Sequence, residues 1–193
     1  SLVRVGDDSV KKYPGLVING GTFTQDNFIA IKVDRGYLKL NGGKVNSANS
    51  YAVENWFNAN INGGTVNGAV AAWTYSDGTN SFLTINGGTY TNETGSFLTV
   101  DSINTLTITA GEFIGGTYAL DLSTKQVEYV RNITGGTFHG SYVINSNVGD
   151  CRPDGYRFEE NGNPIKLSEL AISSTSKTLT VVRCDSHSWE DDV

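Results

Sequence analysis

The chain has 193 residues, of which 38% are apolar and 18% are charged, and it contains 23 glycines and no methionine. Its length corresponds to a single domain. The net charge of −6 argues against binding to a nucleic-acid backbone, and the lack of any run of about 18 apolar residues argues against membrane insertion.

A phrase of eight residues recurs six times along the chain, with successive copies 21 to 25 residues apart. Such a period is typical of a solenoid, in which each unit buries its apolar face only by stacking on a neighbour. The first glycine of the phrase is replaced once, by Ala110. The six copies are Leu16–Phe23, Leu38–Val45, Ala59–Val66, Leu83–Tyr90, Leu106–Phe113 and Arg131–Phe138.

Each phrase combines a strand with a tight corner. Apolar residues such as Leu16 and Ile18 alternate with outward positions such as Val17, and a glycine pair follows. After the corner comes one large apolar residue per unit, which we expect to form a column inside the coil. We therefore predict an all-β, right-handed parallel β-helix of about six to seven coils. The column residues are Phe23, Val45, Val66, Tyr90, Phe113 and Phe138.

A row of polar residues stands just before the glycines of successive phrases. Stacked side-chain amides can hydrogen-bond along such a column, so we expect a buried, self-satisfied ladder and no ligand role. The row consists of Asn19, Asn41, Asn62, Asn86, Thr109 and Thr134.

The repeated Ile-Asn-Gly-Gly-Thr-Phe phrase resembles the pectate-lyase-like β-helix repeats of large bacterial surface proteins and adhesins, over residues 16 to about 144. Such repeats occur in stalks, adhesins and carbohydrate-active modules alike, so the resemblance implies a fold more than a function. It implies a secreted or cell-surface location. The abrupt start at Ser1 leads us to expect further domains of a longer parent chain as partners.

The phrase disappears after residue 148, and we predict two parts: a β-helix over 1–148 and a C-terminal β cap with an acidic tail over 149–193. The cap is expected to cover the last coil, because an open end would expose strand edges. Its hairpin is predicted around Glu159 to Pro164, with another strand from Lys177 to Cys184. Cys151 and Cys184 are the only cysteines, and we predict that they form a disulfide. Zinc is the alternative, with His187 and His139 as further ligands.

Catalysis on this fold needs carboxylates that converge from adjacent coils. Alignment of the second strands gives an outward row in which Glu54 and Asp121 lie three coils apart, too far to act together. Asp101 is expected on another part of the surface. We therefore predict no catalytic residue, no metal and no cofactor. The row is Lys32, Glu54, Thr74, Thr99, Asp121 and Asn145.

Four aromatic residues of the middle coils are the candidate ligand-binding residues: Trp56, Trp73, Tyr75 and Phe97. They surround the least regular segment, Gly68 to Ser81, and flat rings beside polar side chains suit sugar faces or protein hot spots. The competing interpretation is that the rings fill the core of a widened coil. An ice-binding threonine face would need an unbroken column, which Lys44 and Glu112 interrupt. We therefore expect a structural or adhesive segment that presents a glycan- or protein-binding surface, with a carbohydrate-active module as the alternative.

Overall fold

The computed structural model describes residues 1–9, 12–73, 75, 77–96, 98–100, 104–121, 131–140, 142–144, 156–164 and 177–183. These residues form stacked parallel coils, and the predicted fold class, a parallel β-helix, is confirmed. The solenoid has about five turns, whereas six to seven coils were expected. A turn runs from one phrase strand to the equivalent strand of the next coil, so the six phrase strands are separated by five turns. Each coil contributes strands to up to three faces. We number the coils by the phrase that begins them.

The first face is a six-stranded parallel sheet built from the strands of the six phrases. The inward leucines are in register, with Leu16 opposite Leu38 and Leu83 opposite Leu106. The predicted stacking of the phrases is therefore confirmed. The strands are β2 (Gly15–Ile18), β5 (Tyr37–Leu40), β7 (Asn58–Ile61), β9 (Ser81–Ile85), β12 (Asn104–Ile108) and β15 (Arg131–Ile133).

The corner after the first face depends on the second glycine of each pair. Gly43 has a φ of +97°, and a Cβ there would lie 2.7 Å from the carbonyl oxygen of Gly21 in the preceding coil. The positive φ recurs at Gly111, which follows Ala110. Alanine is therefore tolerated at the first position of the pair, where no positive φ is required.

The second face carries the predicted interior column, and strand pairing places its six members opposite one another. Tyr90, Phe113 and Phe138 are fully buried. Their rings stack nearly parallel, with centroids 4.9 and 4.8 Å apart. The strands are β3 (Thr22–Thr24), the first part of β6 (Lys44–Asn55), the first part of β8 (Thr65–Ala72), β10 (Thr89–Asn92), β13 (Glu112–Gly115) and β16 (Thr137–Gly140).

The third face continues from the second, because β6 and β8 run through the corner between the two. The β6 to β8 pairing shifts register between Asn46 and Val53, so that coil 2 bulges at this corner. The other strands are β1 (Val3–Val5), β4 (Ile31–Val33), β11 (Leu98–Val100), β14 (Tyr118–Asp121) and β17 (Tyr142–Ile144).

Three C-terminal strands pair antiparallel and extend the second face beyond coil 6. They are β18 (Tyr156–Glu160), β19 (Asn163–Pro164) and β20 (Lys177–Arg183). β20 pairs with β16 on one side and β18 on the other, and β18 turns through Asn161 and Gly162 into β19. The proposed boundary at residue 148 and both cysteines lie outside the described residues, so the division into two parts and the disulfide stay predictions.

Candidate functional site

Three of the four aromatic candidates come together at one corner of the β-helix. Asn55 pairs with Ala72, so Trp56 and Trp73, which follow them, leave the third face at equivalent places in coils 2 and 3. The Trp56 centroid lies 6.4 Å from that of Trp73 and 5.3 Å from that of Tyr75. Tyr51 packs edge-on against Trp73 at 6.0 Å.

We call Tyr51, Trp56, Trp73 and Tyr75 the aromatic cluster; all four are half-buried. The rings therefore lie outside the coil and still shield one another from solvent. Phe97, the fourth candidate, lies outside the described residues.

Charged side chains form the floor of the aromatic cluster. Glu54, only 6% exposed, accepts a hydrogen bond from Nε1 of Trp56. Lys32 places its Nζ 3.9 Å from Oε1 of Glu54, 3.2 Å from Oδ1 of Asp34 and 5.7 Å from the Trp56 ring centroid. Asp34 is also paired with Arg4. Both buried carboxylates are thus neutralised by lysine or arginine, as burial of charge requires.

A buried arginine fastens the cluster to the start of the chain. Arg35, 4% exposed, donates from Nε to Oδ1 of Asp8 and from its NH2 nitrogen to Oδ2 of Asp77, both at 2.6 Å. It also donates to Oγ1 of Thr79 at 2.9 Å, and its Cζ lies 3.9 Å from the Tyr75 ring centroid. We call these five residues the arginine clasp. It joins the corner of coil 3 to the corner of coil 1 and passes over coil 2.

Two pKa shifts follow from this geometry. The pKa of Asp77 is well below its ordinary value, because its carboxylate accepts hydrogen bonds from Thr79 and Arg35. The pKa of Tyr75 is raised, chiefly because burial disfavours the phenolate. The Tyr75 hydroxyl is buried, and within the described part of the chain it has no hydrogen-bond partner. Both shifts favour the protonation states that the clasp uses, a charged Asp77 and a neutral Tyr75.

The predicted outward row on the third face is wrong at one position. Glu54 pairs with Ala71, and Ala71 pairs with Thr99, so Ala71 occupies the place assigned to Thr74. The physical reason is that coil 3 has fewer residues than coil 2 at the corner before the third face, since Asn46 to Tyr51 of coil 2 matches Asn67 to Ala69 of coil 3. Thr99 pairs with Asp121, so Glu54 and Asp121 are three strands apart, as expected. Their backbones therefore do not lie on adjacent strands. Thr74, Asp101 and Asn145 lie outside the described residues.

A second set of rings, which the sequence reasoning missed, lies on the outer surface of the first face. Tyr37 pairs with Asn58, and Asn58 pairs with Phe82, so the three residues form a line along the axis. Phe57 packs against Tyr37 at 5.5 Å and against Tyr13 at 5.1 Å. Tyr13, Tyr37 and Phe82 are 49%, 47% and 41% exposed.

We call Tyr13, Tyr37, Phe57 and Phe82 the exposed row. The signal for it was present in the sequence. Tyr37 and Phe82 stand immediately before the inward residues Leu38 and Leu83, and the alternation of a strand places them outward.

An open polar groove of about 420 Å³ lies at the corner between the second and third faces, over coils 1 to 4. Asn67 donates to Asn46 at 2.8 Å and Asn46 donates to Thr24 at 2.9 Å, so the amides of the groove are tied in a ladder. Asp26 and Glu93 contribute the charge and are both exposed. The lining includes Asp26, Asn46, Asn67, Thr91, Asn92 and Glu93.

The predicted polar row before the glycines does form a ladder. Asn41, Asn62 and Asn86 each donate to the previous asparagine at 2.8 to 3.0 Å, and Thr109 donates to Asn86 at 2.9 Å. The expectation that it is buried is wrong, since Asn19, Asn41 and Asn86 are exposed. These residues precede the glycine corner, and the buried column residue comes only after it. The amides therefore lie along an outer edge of the solenoid.

Among the described residues, no three side chains of His, Cys, Asp or Glu gather as metal ligands. The described part of the chain also contains no helix with the length and apolarity needed to cross a membrane. Comparison with protein-family models, with curated proteins and with solved structures gives no match to this chain.

Proposed function

We propose that this chain is a stiff, non-catalytic segment of a secreted or surface-anchored bacterial protein and that it presents a glycan- or protein-binding surface. The observation that carries the proposal is the aromatic cluster, in which coils 2 and 3 hold Trp56, Trp73 and Tyr75 beside one another on the outside of the solenoid. Interior packing does not require rings at these positions. Half-exposed tryptophan and tyrosine side chains are typical of recognition surfaces.

The location and the lineage rest on the sequence. The Ile-Asn-Gly-Gly-Thr-Phe phrase resembles pectate-lyase-like repeats of surface proteins and adhesins, and the stacked parallel coils agree with a β-helix repeat. A solenoid holds surface side chains at fixed spacings over several coils, which suits a display segment. No cofactor is needed for this role.

The alternative, a carbohydrate-active module, needs two carboxylates within about 5 to 10 Å of each other. In the groove, Asp26 belongs to coil 1 and Glu93 to coil 4, so three strand spacings, about 14 Å, separate their backbones. Asp34 and Glu54 come from adjacent coils and lie 3.2 and 3.9 Å from Nζ of Lys32, but both carboxylates are buried and are engaged by Arg4, Lys32 and Trp56. The geometry therefore favours recognition over catalysis.

The test is a screen of the full chain against glycans and surface glycoproteins, with Trp56→Ala, Trp73→Ala and Tyr75→Ala beside the exposed control Thr22→Ala. We expect binding by the wild type and the control, and weaker binding per folded molecule by the ring variants. If those variants lower only the melting temperature, the cluster is a packing feature. Sugar release that is lost in Glu54→Gln or Asp121→Asn would overturn the non-catalytic assignment.

A further inference from the structure

We infer that the exposed row, Tyr13, Tyr37, Phe57 and Phe82, binds a neutral, extended β-1,4-linked glycan that lies along the axis of the β-helix. This inference rests on the proposed function and gives it a site and a ligand class. The site lies on the first face and is distinct from the aromatic cluster that the sequence singled out.

Burial in the core does not explain the rings of Tyr37 and Phe82. Tyr37 and Phe82 are 47% and 41% exposed, whereas the inward residues that follow them, Leu38 and Leu83, are at most 2% exposed. In the neighbouring outward line of the same sheet, Val17 is followed by polar side chains such as Lys39 and Thr84. Large rings exposed on a regular sheet cost solubility and therefore point to a binding role.

The register sets the spacing of the rings. Tyr37 and Phe82 pair with the same residue, Asn58, from opposite sides, so their backbones are two strand spacings, about 10 Å, apart. This distance is close to the repeat of a β-1,4-linked glycan, in which every second sugar presents the same face. The half-exposed Asn58 stands between the rings and supplies an amide for the hydroxyl groups of the intervening sugar.

The pattern favours a glycan over a protein partner. Along the axis a ring, an amide and a ring alternate, and this pattern matches the alternating faces and hydroxyl groups of a sugar chain. Phe57 supports the row from the side, with Tyr13 stacked on it at 30° between ring planes and Tyr37 edge-on at 74°. Contacts of this kind hold the rings in place before a ligand arrives, which lowers the entropy cost of binding.

The charge of the row is also informative. None of its four side chains is charged at neutral pH, although the chain as a whole carries −6. The row offers rings and an amide and no charged group of its own, which suits a neutral polysaccharide. Binding should therefore change little when the salt concentration is raised.

The experiment is calorimetric or NMR titration of the full chain with cellohexaose, an extended β-1,4-linked chain, and with maltohexaose, whose α-1,4 linkages curl the same sugar. We expect binding of cellohexaose alone. Tyr37→Ala and Phe82→Ala should each weaken it about tenfold, as loss of a central aromatic contact does. Val17→Ala is the matched control, because Val17 is 57% exposed on the same face outside the row.

Phe82→Leu guards against a folding defect, since it keeps the apolar bulk and removes only the ring; it should bind as weakly as Phe82→Ala. Equal binding of maltohexaose, or no binding of cellohexaose by folded protein, overturns the inference. Binding that depends on Trp56 and Trp73, but not on Tyr37 and Phe82, overturns it and leaves the proposed function standing. Failure to bind anything in the wider screen overturns both.

Discussion

Aromatic rings inside and outside this solenoid obey different rules. Inside, Tyr90, Phe113 and Phe138 stack with interplanar angles of 9° and with spacings that match the distance between strands. Outside, the rings of the exposed row meet at 30° and 74°. Strand pairing fixes the geometry of the inner rings, because each ring lies directly above the equivalent residue of the preceding coil.

The difference between inner and outer rings shows which positions are constrained by stacking between coils. Inside, the column position is filled by Val, Tyr or Phe, and each residue lies opposite the equivalent residue of the next coil. An outer ring meets no such constraint, so its identity reflects what it contacts at the surface. The comparison predicts that inner substitutions cost stability and outer ones cost binding.

The largest effect should come from Phe113→Ala, which opens a cavity between two stacked rings. We expect a loss of about 3 to 5 kcal/mol in the free energy of unfolding, measured by urea denaturation. Phe82→Ala is the outer counterpart and should cost less than about 1 kcal/mol. Equal losses at the two positions would abolish the distinction between inner and outer rings.

Gly43→Ala tests the corner that separates inside from outside. The added Cβ would be forced into a positive φ and toward the carbonyl oxygen of Gly21, 2.7 Å away. We expect destabilisation of about 1 to 3 kcal/mol by the same measurement. Gly20→Ala is the control, because a Cβ at Gly20 meets nothing within 4 Å and its φ is not positive. A neutral Gly43→Ala would contradict the role assigned to the corner.

Arg35→Met removes the centre of the arginine clasp and keeps most of the apolar stem. The side chains of Asp8 and Asp77 are 52% and 49% exposed, so solvent screens both ion pairs. We expect the free energy of unfolding to fall by about 1 kcal/mol. The difference in unfolding free energy between the variant and the wild type should decrease as the salt concentration is raised. Lys39→Met, on an exposed side chain, should be nearly neutral. A salt-independent loss would assign the effect to packing alone.

The smallest effect is expected for Asn41→Ala in the exposed ladder. Asn41 donates to Asn19 and accepts from Asn62, both at 2.8 Å, but water can replace these bonds at the surface. We expect a loss of about 0.5 to 1 kcal/mol in the unfolding free energy. Thr22→Ala provides the baseline for an exposed position. A loss of unfolding free energy as large as that of Phe113→Ala would show that the ladder contributes as much to stability as the buried column does.

Much of the fold could be predicted from the sequence, because the repeat fixes the register. A shift of the register by one residue at Leu83 would move every inward side chain of its strand to the outer face. Only one alignment of the phrases therefore buries the leucines. The column that contains Phe113 and the ladder that contains Asn86 follow from that alignment. The same alternation places Tyr37 and Phe82 outward, although the aromatic candidates were sought only in the irregular segment.

The site was harder to predict, because it depends on loops whose length varies between coils. Coil 3 is shorter than coil 2 at the corner between the second and third faces, and this moved Ala71 into the place assigned to Thr74. The same shift hides the convergence of Trp56 and Trp73, which becomes visible only through the pairing of Asn55 with Ala72. The clasp around Arg35 could not be predicted either, since no spacing in the sequence relates Asp8 to Asp77.

The arginine clasp also bears on how the molecule unfolds. In an ideal repeat array each unit contacts only its neighbours, so an end coil can fray while the others stay folded. Here Asp77 and Thr79 of coil 3 hold Arg35 of coil 1. Opening of coil 1 therefore also breaks contacts made by the corner of coil 3. The clasp should couple the opening of the two coils by about 1 kcal/mol, which hydrogen exchange would register as lower protection across residues 31 to 72 in Arg35→Met than in the wild type.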